Sequence, residues 1–275
     1  MALSFQTNVA ALQAETNLQI NTNFQTKTIE QLTSGYRINS SGDDAAGLAV
    51  ANGLRSTISE LTQGVRNAND GTNILQTIDG GLNNISNILD QLKSLATQSA
   101  SGTFSGSRST LNSQFTTLLT EIDRQAANIG LASGGSYNAS IAVYIGGGST
   151  QANAQVTIDL SGSGNIVDST GLGIASDTID TAAHALTAIA DITTAVQNLG
   201  LTQGSVGTGE NALSYAISLA QSQITNNSAS ESSIRDANIA QEAANLTKSQ
   251  VLEQSSVAAL AQANAAPQAL MKLLQ

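Results

Sequence analysis

Few residues of this chain carry the side chains that enzymes use. The sequence has no Cys and one histidine, His184, among 275 residues. A disulfide, a thiolate nucleophile and a thiolate zinc site are therefore excluded. Because His184 has no second histidine to join it on a metal and stands at a predicted helix start, we expect a surface or capping role for it. We predict no metal and no cofactor.

Two further short motifs have a possible chemistry and a simpler structural reading. Asp43 and Asp44 are adjacent carboxylates of the kind that act as general acid and base. They follow Ser40 with the spacing of a capping box, so we expect them to accept hydrogen bonds from the exposed N–H groups of a helix start. The triple glycine 146–148 has no following lysine or helix, so we expect a hairpin turn rather than a phosphate loop. We predict that the protein is not an enzyme.

The polarity of the chain comes from amides and hydroxyls rather than from charges. Charged residues make up 11%, against about 25% in an ordinary domain, while Ser, Thr, Asn and Gln total 108 residues. The net charge of −10 argues against nucleic acid and anionic membranes as partners. We expect no membrane insertion, since no apolar run approaches the ~18 residues of a span. The N-terminus also lacks the basic and apolar regions of a cleavable signal peptide.

The charges are unevenly distributed along the chain. Residues 125–234 hold seven acids and neither Lys nor Arg, while residues 235–275 hold three acids and three bases. We expect the acidic middle segment to face solvent and to repel copies of itself. The nearly neutral ends are suited to pack against each other or against other copies.

Apolar periodicity predicts a mainly helical protein. A first helix is expected over about 5–33, ending before Gly35, and a second from about residue 43 to about 70 or beyond. Two heptad patterns follow, separated by Gly/Ser pairs near 101–106, and they predict an antiparallel helical hairpin. The first consists of Leu75, Ile78, Leu82, Ile85, Leu89, Leu92 and Ala96, and the second of Leu111, Phe115, Leu118, Ile122 and Ile129.

The pattern changes to strands and then returns to helices. Ile141, Val143 and Ile145 alternate with other residues, as do Val156, Ile158 and Leu160, which predicts two strands. Helical spacing returns at Leu186, Ile189, Val196 and Leu199, and again after the glycine-rich stretch 203–209. A last helix is expected over about 234–264, ending near Pro267. The predicted fold is mainly α: a long coiled-coil-like bundle pairing N- and C-terminal segments, with a small β-hairpin element inserted mid-chain at about 137–175.

Several motifs at both ends resemble the bacterial flagellins. The N-terminal motifs lie at 32–40, 43–47, 67–71 and 121–124, and the C-terminal ones at 233–237, 260–264 and 267–268. The resemblance covers about 1–130 and 185–275, in order and at family spacing. The short middle segment is similar to a minimal flagellin without large outer-domain insertions.

The resemblance implies a structural subunit, secreted and polymerised into the extracellular flagellar filament. It implies a homo-polymer and, as further partners, the flagellar export apparatus, a flagellin chaperone, the filament cap and hook–filament junction proteins. We expect an inner terminal-helix domain of 1–42 and 236–275 and an outer helical rod of 43–235. Assembly is expected to couple the folding of the terminal helices to burial of their apolar surfaces. The residues predicted to carry self-assembly are Leu3, Phe5, Val9, Leu12, Leu32, Arg37, Arg235, Leu260, Leu270, Leu273 and Leu274.

Where the sequence departs from the family pattern, a neutral residue mostly replaces a basic one. Gly42 and Gly53 stand where flagellins usually have a basic residue, and Gln203 and Ala212 stand where they usually have Arg. The innate-immune receptor for flagellin reads an Arg, a Leu and a Glu in recognised members, and the matching positions here are Gln91, Leu95 and Gln114. With only the leucine retained, we expect weak receptor activation.

Two other function classes fit parts of the sequence. A hook–filament junction protein shares such terminal helices but usually has a larger middle segment, and an adhesin could use the acidic middle. An enzyme is the weakest alternative because the sequence offers neither a nucleophile–base pair nor a cofactor loop.

Overall fold

Over the described residues, the architecture consists mainly of five long helices and one β-hairpin. The computed structural model describes residues 7–147 and 153–273, with side chains omitted at 163 and from 266 onward. The helices are α1 (Val9–Ser34), α2 (Ala45–Ala100), α3 (Arg108–Asn128), α4 (Ala182–Arg235) and α5 (Ile239–Leu273). Strands β1 (Ser140–Tyr144) and β2 (Gln155–Asp159) lie between α3 and α4. The predicted mainly α fold with an inserted hairpin is confirmed.

The chain forms two compact units. The terminal unit consists of Met1–Ser56 and Asn226–Gln275, and the central unit of Thr57–Thr225. Helices α2 and α4 contribute residues to both units.

The central unit contains a continuous hydrophobic core. The first predicted heptad seam is buried along its whole length, from Leu75 to Ala96. Helix α3 returns antiparallel to α2 and adds Phe115 and Ile122, both fully buried. In the second seam Leu118 is only partly buried, while Leu119 is buried. The predicted helical hairpin is confirmed.

The two strands are antiparallel and pair Ser140 with Asp159 and Tyr144 with Gln155. Val143 and Ile158 point into the core. Glycines of the helices make room for the hairpin, because a Cβ at Gly64 would overlap the carbonyl oxygen of Ile145. Gly146 and Gly147 follow β1 with φ of 86° and 79°, a left-handed conformation that glycine adopts without strain. Gly148 lies outside the described residues.

The predicted apolar seam of α4 is confirmed at Ile189 and Leu199 and after residue 209, but it is wrong at Leu186 and Val196. Leu186 and Val196 are exposed, while Leu199 is buried as expected. Small side chains allow α4 to approach its neighbours closely, and a size-weighted sequence pattern overlooks them. The buried face consists of Ala185, Ala188, Ile192, Ala195, Leu199, Thr202, Val206, Gly209, Leu213 and Ala220.

Three other expectations about the second half also need correction. Helix α4 runs without interruption through 203–209, because Val206 and Gly209 pack into the core and hold the glycine-rich turns in helical form. Helix α5 extends past Pro267 to Leu273, so the proline does not end it. The acidic segment 125–234 does not simply face solvent, since it supplies much of the central core.

Candidate assembly surface

Helices α1 and α5 pack against each other through small and polar side chains. In α1 the buried residues are Ala14 and Thr28, and in α5 they are Ser249 and Ser256. Because these side chains are short, the two helices approach closely. The leucines nearest to burial are only half-buried: Leu18, Leu32, Leu246 and Leu260. The pairing therefore leaves most of the apolar surface of both helices outside it.

Amide side chains cross between the two helices. The Asn8 amide donates to the carbonyl oxygen of Ala263 at 2.8 Å, and the Asn21 amide donates to Ser256 Oγ at 2.8 Å. A neutral hydrogen bond avoids the desolvation cost of a buried ion pair. The low content of charged residues in the sequence thus corresponds to neutral amide hydrogen bonds between α1 and α5.

Most of the described large apolar residues of α1 and α5 are exposed. Val9 is 67% exposed and Leu12 is 60% exposed. A single protein chain rarely leaves so many large apolar side chains together in water unless they meet a partner. The other exposed members are Ile20, Phe24 and Ile29 on α1 and Ile239, Val251, Leu252 and Val257 on α5.

A short backbone junction holds the end of α1 beside the end of α4. Gly35 ends α1 with φ of 73°, and Tyr36 forms an isolated antiparallel bridge with Asp236. The Arg37 N–H donates to the Arg235 carbonyl at 2.6 Å, and the Ala237 N–H donates to the Gly35 carbonyl at 2.9 Å. These bonds fix the backbone of residues 235–237, directly before α5 begins at Ile239.

The two predicted arginines complete this junction. The Arg235 guanidinium lies 4.1 Å from the centre of the Tyr36 ring, a cation–π contact. Arg37 Nη2 donates to the carbonyl oxygen of Ile234 at 2.7 Å. Both arginines therefore serve packing within the chain, and a role in subunit contact stays a prediction.

Asp44 caps the start of α2, as expected, whereas Asp43 binds N–H groups of the turn before the helix rather than those of the helix itself. Asp43 Oδ2 accepts from the N–H groups of Asn39 and Ser40, and Asp44 Oδ1 accepts from the Gly47 N–H at 2.8 Å. Lys27 Nζ lies 2.8 Å from Asp43 Oδ1. Its ammonium, with the Ser40 N–H, holds the pKa of Asp43 well below the usual range. Lys27 on α1 thus provides a cation beside Asp43, next to Gly42.

The predicted assembly residues fall into three groups. Val9 and Leu12 are exposed, whereas Leu32 and Leu260 are half-buried. Leu3, Phe5 and Leu274 lie outside the described residues, and the side chains of Leu270 and Leu273 are likewise not described. The exposed residues of α5 were missed, since sequence periodicity marks an apolar face without telling which partner covers it.

The structure brings the three receptor-motif positions together. Gln91 and Leu95 of α2 and Gln114 of α3 line one surface groove of the central unit, with Ser94, Thr117 and Leu118. The groove lining contains no charged residue. The positions were found by resemblance, and the antiparallel pairing of α2 and α3 makes them neighbours.

His184 lies at the surface, near the start of α4. Its Nδ1 is 2.7 Å from Asp180 Oδ1, and its N–H donates to Thr181 Oγ1 at 3.2 Å. Within 7–147 and 153–273, no cluster of three or more His, Cys, Asp or Glu side chains could bind a metal ion.

None of the helices, over the residues that are described, combines the length and apolarity needed to cross a membrane.

Comparison with known proteins places the chain among filament proteins. Residues 5–130 match the bacterial flagellin N-terminal helical region, and residues 189–274 match the C-terminal helical region. A flagellin of Listeria innocua is 34% identical over 99% of both chains, and a flagellin of Halalkalibacterium halodurans is 33% identical over 98% of both. The "Flagellar filament 30.7 kDa core protein" of Treponema maltophilum is 33% identical over 97% of this chain and 98% of its own.

A crystal structure of Bacillus cereus flagellin aligns with 60% of this chain and 94% of its own, with 26% identity and a TM-score of 0.47. The two terminal matches and the near-full-length relatives lead to one conclusion: the chain belongs to the bacterial flagellin family.

Proposed function

We propose that this chain, a structural subunit of the extracellular bacterial flagellar filament, polymerises through the outward apolar faces of α1 and α5. One observation carries this proposal: α1 and α5 pair through small and polar residues, while most of their described large aliphatic residues are exposed. The helices thus hold each other in position and keep their apolar surface available for copies of the chain.

Burial of these faces supplies the driving force for assembly. Each Å² of apolar surface removed from water contributes about 25 cal/mol. Contacts between unlike surfaces of identical subunits propagate without closing when the rotation between copies does not return to the start, which gives an open helical polymer. Because the faces carry few charges, they are buried at little desolvation cost.

Assembly is coupled to ordering of the terminal helices. Long helices with much exposed apolar surface and a small buried core fray readily in an isolated chain. Addition to a filament end then offsets the ordering cost. An inner domain of 1–42 and 236–275 and an outer rod of 43–235 are the expected functional division. The flagellar export apparatus, a chaperone, the filament cap and junction proteins are the expected further partners.

Truncation tests the proposal. Deleting 1–30 or 245–275 removes one partner of the α1–α5 pair and leaves the central core, Leu61–Ala220, in place. We expect a soluble, helical protein by circular dichroism that does not elongate filament seeds in electron microscopy. Filaments formed by either truncated chain would contradict the proposal.

Point variants test the outward faces themselves. Leu12→Glu and Val251→Glu each add a charge at an exposed apolar position, so we expect a normally helical monomer that polymerises at least tenfold less well. Thr116→Glu, at an exposed position of α3, is the matched control and is expected to polymerise normally. Equal behaviour of all three variants would contradict the role of these faces.

The receptor groove supports a second expectation, weak activation of the innate-immune receptor. Gln91 and Gln114 offer neutral amides where charge-assisted hydrogen bonds would be about twice as strong. We expect low potency of the monomer in a reporter-cell assay and a gain for the double variant Gln91→Arg with Gln114→Glu. Full potency of the unmodified chain would contradict this expectation. The junction-protein and adhesin alternatives are not favoured, since the near-full-length relatives are flagellins or filament core proteins.

A further inference from the structure

The outward apolar face of α1 becomes polar toward the end of the helix. Ile20 and Phe24 are exposed members of this face, and Lys27 and Gln31 follow Phe24 at steps of three and four residues. Such steps keep all four side chains on one side of a helix. The face therefore changes from apolar side chains to one cation and one amide, about two turns before α1 ends.

Both of these polar side chains contact the chain that follows α1. The Gln31 amide donates to the carbonyl oxygen of Arg37 at 2.8 Å, and Lys27 Nζ lies 2.8 Å from Asp43 Oδ1. We call residues 36–43 the return segment, because these contacts bring it back against α1. The end of the outward face is thus covered by the chain itself.

Asp43 connects Lys27 to the backbone of the return segment. Its Oδ2 accepts from the Asn39 N–H at 3.2 Å and from the Ser40 N–H at 3.0 Å, and also from the Ser40 hydroxyl at 3.2 Å. Its Oδ1 is left for the ammonium of Lys27. The Asp43 side chain is only 19% exposed, so the attraction to a cation is screened less than at an open surface. One carboxylate therefore closes the turn and attaches it to α1.

The Lys27–Asp43 ion pair differs in kind from the other contacts between acidic and basic side chains. Over the described part of the chain, the others join residues only three or four positions apart. These are Glu121–Arg124, Asp180–His184 and Glu231–Arg235. The Lys27–Asp43 pair instead joins a helix to a segment outside it. Lys27 is also the single base in the sequence of α1, so no neighbouring cation of the helix can replace it.

We propose that Lys27 is a positioning residue for assembly: through Asp43 it holds the return segment against α1 and fixes the direction in which the apolar face of α1 points. The inference rests on the proposed filament function and names a residue on which that function depends. The contact of α1 with α5 buries short side chains such as Ala14 and Thr28. Short side chains interlock less than large ones, so they restrict rotation of a helix less. An attachment on a second side of α1 supplies the missing restriction.

The test measures elongation of the chain's own filament seeds by full-length monomer. Lys27→Met keeps the length of the side chain and removes its charge. We expect the critical concentration for elongation to rise about fivefold, which is within what a partly exposed ion pair contributes. Lys27→Arg, which keeps a cation, is expected to stay within twofold of the parent chain. Lys93→Met removes the same charge from α2 of the central unit and is the matched control, also expected within twofold.

A double variant separates an action through Asp43 from a direct contact of Lys27 with another copy. Asp43→Asn removes the charge and keeps an oxygen that can accept from the turn, so we expect a loss similar to that of Lys27→Met. If Lys27 acts through Asp43, the chain with both changes elongates like Asp43→Asn alone. In assembled filaments of Lys27→Met, the N–H groups of residues 39 and 40 are expected to exchange about fivefold faster, because both donate to Asp43.

The outcomes separate the two proposals. Lys27→Met that elongates like the parent chain would overturn the positioning role while leaving filament formation intact. A further loss in the double variant would also overturn it, since Lys27 would then act through a different partner. The same holds for an equal loss in Lys93→Met, because any lost cation would then have that effect. A parent chain that fails to elongate seeds would overturn the proposed function, and the positioning role with it.

Discussion

The helices of the two compact units bury different kinds of side chains. In the central unit, α2, α3 and α4 enclose leucine, isoleucine and phenylalanine in one core. In the terminal unit, α1 and α5 enclose alanine, threonine and serine and expose most of their described large aliphatic residues. The central unit thus encloses a large aliphatic core within one chain, although α4 leaves residues such as Leu201 and Tyr215 exposed, and we propose that other chains cover the exposed faces of the terminal unit. Under the proposed function, stability and assembly are separated along the sequence.

The largest expected effect tests this separation directly. Phe115 is fully buried in the central core, so Phe115→Ala should lower the free energy of unfolding by about 3–5 kcal/mol. Leu12→Ala in the terminal unit should change it by less than about 0.5 kcal/mol in the monomer, because Leu12 is exposed. Urea unfolding of both variants, followed by circular dichroism, measures the difference. Comparable losses would mean that the outward face of α1 is buried within the isolated chain.

Two glycines of α2 are expected to respond to alanine substitution with stability changes that are smaller and opposite in sign. A Cβ at Gly64 would overlap the backbone of Ile145 after β1, so Gly64→Ala should destabilise the central unit by about 1–3 kcal/mol. A Cβ at Gly80 would meet nothing, so Gly80→Ala should stabilise the helix by about 0.5–1 kcal/mol. Thermal unfolding of the two variants checks the signs. Stabilisation by Gly64→Ala would show that the hairpin does not dock against α2 as described.

The smallest effect concerns the pH dependence of the central unit. Burial, together with the nearby carboxylate of Asp191, raises the pKa of Asp177 to about 6. A raised carboxyl pKa means that the charged form is disfavoured in the folded state. The loss of folding stability caused by ionised Asp177 is therefore absent below pH ~4 and complete above pH ~6. After allowance for solvent screening, Asp177→Asn should stabilise the protein at pH 7.5 by at most about 1 kcal/mol and have no effect near pH 4.

Asp159 is the matched control for that measurement. Its pKa is lowered by hydrogen bonds from the Ser161 hydroxyl and N–H, so its contribution has the opposite sign: it is present at neutral pH and lost as the pH falls. Asp159→Asn should therefore destabilise the protein at pH 7.5. Urea unfolding at several pH values compares the two variants. A parallel pH dependence for both would refute the assignment of Asp177.

Heptad spacing determined the helical hairpin of the central unit. The residues from Leu75 to Ala96 are all buried as their spacing predicts, because large aliphatic side chains on one helical face leave few ways to exclude water. The alternation at 141–145 and 156–160 predicted the two strands, because alternate side chains of a strand lie on one face and exclude water together. The family motifs at both ends determined the type of protein. These signals are local, so one sequence suffices to read them.

Only the tertiary structure decided which faces stay exposed. Leu186 and Leu201 have the side chains of core residues yet are exposed, while the buried face of α4 mixes small residues such as Ala188 with large ones such as Ile192, since the facing elements decide how much space each position has. Likewise, the sequence marked α1 as apolar but did not show that Ala14 and Thr28 make its contact with α5. Burial depends on which partner approaches a face and how closely, and that is a property of the whole fold.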